Sequence, residues 1–300
     1  MDDLKKHITK DGSISLYSLK YKEGFHDADG ALKESINKYK LPAQLDQFSN
    51  KEKIVILDVC MGLGYNSGCI LEELLNNKHK IEWHGLEIDH RPLDIALNEK
   101  KFHEIWTPKV LDFFKCLKKS GKWSEGSNKG TIHWGDAREK IHDISDSLSF
   151  DVILLDPFSP QKCPELWSEQ FISLLSKKLS KKGRLITYSS AASIRTSLKR
   201  AGLKIYSISP LFNNQNKWSE GTVATKEKIN EKLISKNCQL KTLGTRELEH
   251  LKTLSSIPYR DPTGKGISKD IILNRKIEQS KSHLIKTSSW RKRWNTAQKQ

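Results

Sequence analysis

The sequence predicts an α/β fold of the nucleotide-binding kind, a mostly parallel sheet with helices on both faces. Two observations carry that expectation. Apolar, β-branched runs recur at residues 54–57, 81–88 and 150–155, as in strands buried on both faces, and stretches with helical spacing separate them. The first run ends in an acid, Asp58, and breaks into a turn holding Gly62 and Gly64 before a helix, the order in which a cofactor loop follows its strand. Three hundred residues accommodate one such domain of about 200 residues with an appendage.

At the N-terminal end, Ile14, Leu16 and Ser18 alternate with Tyr17, Leu19 and Tyr21 as in a short hairpin, and a helix is expected from Ala31. The loop between them carries Glu23, Phe25 and His26 flanked by Gly24 and Gly30; it either lines a site or makes a surface turn. Beyond the glycine turn, Cys69, Ile70, Leu71, Leu74 and Leu75 predict a helix. The second strand, 81–88, delivers Glu87 near its end, where an acid either accepts the ribose hydroxyls of an adenosine or stands as a solvated charge. A helix over 91–97 opens with Pro92 in its first turn. Trp106, Val110, Phe113, Phe114 and Leu117 predict a helix that buries aromatics, followed by a loop through GKWSEGSNKG.

A third strand, 131–134, leads to Asp136, either an adenine contact or the N-cap of the next helix. The fourth, 150–155, delivers Asp156, Pro157, Phe158, Ser159 and Pro160 to the carboxyl edge of the sheet, where open α/β folds bind ligands. A carboxylate there can hold an amine or take its proton, and Phe158 can face a base or a methylsulfonium cation; the alternative is an acid-proline turn. An amphipathic helix over 164–178, a turn at 180–183, a strand at 184–188, a helix over 192–201 stopped by Gly202, and strands at 203–208 and 218–225 complete the series.

The formal net charge is +16, and residues 226–300 hold 18 Lys and Arg against 7 Asp and Glu. Such a segment either tracks phosphates or forms a solvated surface. Within it, residues 245–254 read as a short amphipathic helix. Trp290 and Trp294 among Arg291, Lys292 and Arg293 suit base stacking beside phosphate contacts, or packing on the domain with the cations outward. Five cysteines form no CxxC pair and no zinc-spaced cluster, so neither a disulfide framework nor a metal is expected. No run of 18 apolar residues and no signal-peptide core occurs, so the expected location is cytoplasmic, without a membrane partner. The expected organisation is an N-terminal hairpin or lid region at 1–45, a cofactor domain at 46–225 and a basic C-terminal extension at 226–300.

The motifs LYSLKYKEGFHDADGAL, LDVCMGLGYNS, GLEID, GDAR, LLDPFSPQKCPELW and GRLITYSSAASIRTSLKRAGL carry a resemblance from about Asp11 to Thr225. The chain resembles the Rossmann-like class I methyltransferases that use S-adenosyl-L-methionine, in the family typified by the methyltransferase half of bifunctional MnmC. That family completes the 5-methylaminomethyl group of wobble uridine in tRNA. The resemblance implies that Asp58, Gly62, Gly64 and Asn66 shape the methionine side of the cofactor site, Glu87 holds the ribose and Asp136 the adenine. It implies that Asp156 binds or deprotonates the substrate amine beside the cofactor, that Phe158 and Pro160 shape the pocket, and that Glu23, Phe25 and His26 lie next to cofactor and substrate. Cys60 stands where the family has glycine, and Cys163 where it has asparagine.

The partner implied is tRNA at its anticodon region. Fused members also carry an FAD-dependent oxidase; no second dinucleotide fingerprint occurs here, so a stand-alone N-methyltransferase without FAD is expected. Two other readings compete. An aminopropyltransferase of the spermidine-synthase kind shares the sheet and activates an amine with a strand-four acid, but the net charge of +16 opposes a polyamine substrate. A non-catalytic RNA-binding module with a degenerate cofactor fold is the other, kept open by Cys60.

Overall fold

The computed structural model describes residues 3–49, 51–210, 218–230 and 240–294. The chain divides into two units, Met1–Phe158 and Ser159–Gln300. The first holds the strands β1 (Leu4–Ile8), β2 (Ile14–Ser18), β3 (Glu23–Gly24), β4 (Lys53–Val59), β5 (Lys80–Glu87), β6 (Lys122–Glu125), β7 (Asn128–Trp134) and β8 (Phe150–Leu155).

Strands β8, β4, β5 and β7 lie side by side in that order, all parallel, and β6 closes the edge antiparallel to β7. Parallel neighbours need crossovers. The helix Tyr65–Asn76 joins β4 to β5, and Arg91–Leu97 and Pro108–Ser120 lie between β5 and β6. Every residue of β8 and all of β4 except Lys53 are buried, so both faces of these strands are covered. That is why they read as unbroken apolar runs.

Two expectations for this unit need correction. The N-terminal hairpin is part of a three-stranded sheet with β2 in its centre: β2 pairs with β3 after it at Tyr17↔Gly24 and Ser18↔Glu23, and along its whole length with β1 before it, in the register Leu4↔Ser18 to Ile8↔Ile14. Lys5, Lys6 and His7 of β1 are exposed, so its sequence carries no apolar alternation to read. The stretch expected to loop, GKWSEGSNKG, is a hairpin of β6 and β7 with Glu125 opposite Asn128 and Gly126 turning at φ 59. Trp123 is the one buried residue of β6 and packs edge-on to Phe113 at 5.3 Å, too little periodicity to reveal a strand. The helix expected from Ala31 is present over Ala31–Ser35 and continues as a π turn, Ile36–Lys40.

In the second unit, β11 (Gly221–Thr225) runs antiparallel between β9 (Leu179–Thr187) and β10 (Lys204–Ile208), and β12 (Leu240–Lys241) pairs with β10. The expected turn at 180–183 lies inside β9. The helix expected over 164–178 is broken in two, a 3-10 turn Pro164–Trp167 and a helix Glu169–Lys178. Ser168 breaks it: its backbone is extended, and its hydroxyl accepts the Phe171 N–H at 3.2 Å as an N-cap. Helix Ala192–Arg200 ends before Gly202 at φ 84, as expected. In helix Thr287–Arg293, Trp290 is buried, stacks on His250 at 4.2 Å and donates its indole N–H to the Arg246 carbonyl, with the cations exposed. Of the two readings for these tryptophans, packing is the one the structure has.

Candidate active site

The loop after β4 turns on three positive φ values: Cys60 at 69, Gly62 at 55 and Gly64 at 94. Glycine occupies this left-handed region freely, whereas a residue with a Cβ is strained in it. Cys60 therefore holds a backbone suited to the glycine it replaces. The other two glycines admit aromatic rings: a Cβ on Gly64 would lie 2.6 Å from Phe114, and one on Gly62 3.3 Å from Phe25.

Glu87, at the end of β5, ties this loop down. Its Oε2 accepts the Gly62 N–H at 2.9 Å, and its Oε1 accepts those of Ile88 and Asp89 at 2.7 and 2.9 Å. Burial raises its carboxyl above the ordinary range against the pull of these three N–H groups. Beneath the loop, Asp58 is fully buried; its Oδ2 accepts the Ser67 hydroxyl, whose oxygen accepts the indole N–H of Trp83. Burial pushes the Asp58 carboxyl up to about 7.

Asp156 leaves the end of β8 with its N–H on the Val59 carbonyl at 3.1 Å. Two donors hold its carboxylate, the Tyr39 hydroxyl on Oδ1 and Asn66 Nδ2 on Oδ2, at 2.5 and 2.7 Å. Burial raises this carboxyl well above the usual range and the nearby Glu34 charge adds to it, while Tyr39 and Asn66 oppose. Asn66 sits in the first turn of helix Tyr65–Asn76, so the glycine loop and the strand-four acid meet through one side chain.

The N-terminal strands reach the same edge. Phe158 stacks on Tyr21 at 4.3 Å and meets Phe25 edge-on at 5.0 Å, so one face of Phe158 is already covered. His26 bonds Ser15 through Nδ1 at 3.0 Å and packs on Tyr65; burial depresses it to about 3, so it is neutral at physiological pH. Glu23 is half-buried in β3. Asp136 caps helix Ala137–Lys140 through the Arg138 N–H and pairs with the Arg138 guanidinium at 2.7 Å; burial pushes its carboxyl up, but Arg138 outweighs burial and holds it low. The N-cap reading of Asp136 is thus realised in the structure. Pro160 and Cys163 belong to the second unit, in a turn where Cys163 N–H bonds the Ser159 carbonyl at 3.0 Å. Sequence reasoning missed Tyr39 and Tyr21 as site residues: neither stands at a strand end or in a glycine turn.

A family model described as S-adenosyl-L-methionine-dependent methyltransferase matches residues 100–227. An uncharacterized protein of Methanocaldococcus jannaschii is 30% identical over 296 residues, covering 94% of this chain and 75% of that protein. The chain belongs to the S-adenosyl-L-methionine-dependent methyltransferase family. The methyltransferase is also 27% identical, over 201 residues, to the tRNA 5-methylaminomethyl-2-thiouridine biosynthesis bifunctional protein MnmC of Azoarcus sp.. That match takes in 63% of this chain but only 31% of the relative's length. The crystal structure of MnmC2 from Aquifex aeolicus superposes with a TM-score of 0.76 at 26% identity, covering 93% of the methyltransferase and 86% of that chain.

The residues at the glycine loop fit the cofactor of this methyltransferase. Asn66 Oδ1 is buried with no partner among the described residues, an acceptor for an ammonium such as that of a methionine moiety. Glu87 has three of about four acceptor positions engaged by backbone N–H groups, which leaves one open. Among the described residues no group of three or more His, Cys, Asp or Glu could hold a metal ion, and no helix is long and apolar enough to cross a membrane.

Proposed function

We propose that this methyltransferase places a methyl group on the nitrogen of a 5-aminomethyl group on wobble uridine in tRNA, giving 5-methylaminomethyluridine. The observation that carries the reading is Asp156, a buried carboxylate held at the end of β8 by Tyr39 and by Asn66 of the cofactor-loop helix. Hydroxyl methylation needs no such group for binding, whereas a primary alkylammonium has no free lone pair until a base takes a proton.

S-adenosyl-L-methionine, when bound, supplies an electrophilic methyl on a sulfonium. On this reading Asn66, with the backbone of Gly62 and Gly64, holds its methionine end, Glu87 a ribose hydroxyl and Asp136 the adenine edge, with Asp58 bracing the loop from below. Asp156 accepts the proton of the substrate ammonium and so frees the nitrogen lone pair, which would take the methyl of the bound sulfonium and leave the S–C electron pair on sulfur; the product leaves as a secondary ammonium, and the proton on Asp156 passes to solvent. Phe25 and Phe158 exclude water from the reacting amine, Glu23 borders the entrance, and His26, neutral and bonded to Ser15, holds the loop in place. The net charge of +16 suits a polyanionic substrate. Mass spectrometry of wobble nucleosides from cells with and without the gene tests this: 5-aminomethyluridine, or its 2-thio form, is expected to accumulate in its absence. An unchanged nucleoside profile would sink the substrate assignment.

A further inference from the structure

Tyr39 belongs to no motif, yet it is 1% exposed and its hydroxyl ends on the reacting acid. It sits in the π turn Ile36–Lys40, a local widening of the helix that re-aims one side chain and recurs at functional sites. The turn is anchored. Lys38, itself buried, binds Glu34 and Asp27 through Nζ, the latter at 2.7 Å, and the Asp27 N–H returns to Glu34 at 2.6 Å. Asp156 therefore takes one donor on each carboxylate oxygen from two separate elements, Tyr39 on Oδ1 and Asn66 on Oδ2, which fixes both its position and the plane of the carboxylate.

We propose that Tyr39 is a positioning residue for methyl transfer: its hydroxyl, braced by the π turn, keeps the Asp156 carboxylate oriented and able to accept the substrate's proton. The inference rests on the amine reading above. The groups facing Asp156 are Glu34 and Tyr39 from residues 31–40, Asp58 from β4 and Asn66 from the following helix; Lys38 and Asp27 act on it through Glu34. Burial disfavours the ionised form and two of these groups are acids that add to it, so without a donated hydrogen bond the protonated form of Asp156 gains, and a protonated acid takes no proton. Donation from Tyr39 and Asn66 favours the ionised form, and loss of either moves the titration to higher pH.

The test is Tyr39→Phe in the full chain, which removes one oxygen. The Asp156 carboxyl is followed by carbon-13 NMR, assigned with Asp156→Asn, and kcat/KM is measured against pH. The titration and the acid limb of the profile are both expected to move up by about one pH unit. Turnover at neutral pH should fall roughly tenfold and recover at high pH, with S-adenosyl-L-methionine affinity within about twofold of wild type. An unmoved titration, or a loss equal at every pH, would overturn the proposal. Site-specific 3,5-difluorotyrosine at position 39, a stronger donor, should move the titration down, and it serves where the Phe variant does not fold. A titration that shifts as stated in a protein that methylates no tRNA would uphold the role of Tyr39 toward Asp156 while removing the tRNA reading.

Discussion

Cys60 keeps a side chain at φ 69, where L-residues meet their own backbone. Cys60→Gly should raise stability by about 1 kcal/mol, the relieved strain outweighing the added chain entropy of glycine. Chemical denaturation reads this directly; a lower midpoint would mean that the thiol's packing exceeds the strain. The strand-end positions of Glu87 and Asp156 were legible in the sequence because a parallel strand announces its carboxyl end. Tyr39 was not, because a π turn shifts register within a helix without altering composition, and the only trace is the hydrogen bond itself. Of the two roles read for Asp136, capping is the one visible in the hydrogen bonds, and the adenine contact belongs to the proposal.

Among the elements, β8, buried on both faces, was read to the residue, 150–155 against Phe150–Leu155, whereas β7, with two buried residues, was read as 131–134 against Asn128–Trp134. The strands β1, with no buried residue, and β6, with one, were missed for the converse reason. In the second unit the helix Ala192–Arg200 is fastened by a buried ion pair. Arg195 Nη1 donates to Glu247 Oε1 at 2.8 Å, and its remaining donors reach Thr222, Ser207, Ser219 and the Gly221 carbonyl. Both partners are under 5% exposed. Glu247→Ala leaves that guanidinium buried with its charge uncompensated and should cost about 3–5 kcal/mol, whereas the double variant Arg195→Met, Glu247→Leu should recover most of it. Urea denaturation of the three proteins decides: a single variant within about 1 kcal/mol of wild type would show water reaching the pair.

At the level of the whole chain, basic charge concentrates after residue 226, and the sequence left open whether its tryptophans stack on bases. Trp290 packs inward on His250, and Arg291, Lys292 and Arg293 are exposed, with Arg293 3.1 Å from Glu249. Their charge reversal should raise the KM for tRNA and reduce the salt dependence of binding, by about 0.7–0.9 in log–log slope for each phosphate no longer neutralised, with cofactor affinity kept. An unaltered slope would place the RNA-facing surface elsewhere; helix Ala192–Arg200 is a poor substitute, as Arg195 is 1% exposed.

The most direct test of the account is nucleoside mass spectrometry of undermodified tRNA after incubation with isotopically labelled S-adenosyl-L-methionine and either the wild-type protein or Asp156→Ala. The account predicts one labelled methyl on the 5-aminomethyl nitrogen of the wobble uridine, formed about 10²–10⁴-fold more slowly by the variant although it still binds the cofactor. Label on another atom or nucleoside, or equal rates for the two proteins, would contradict it.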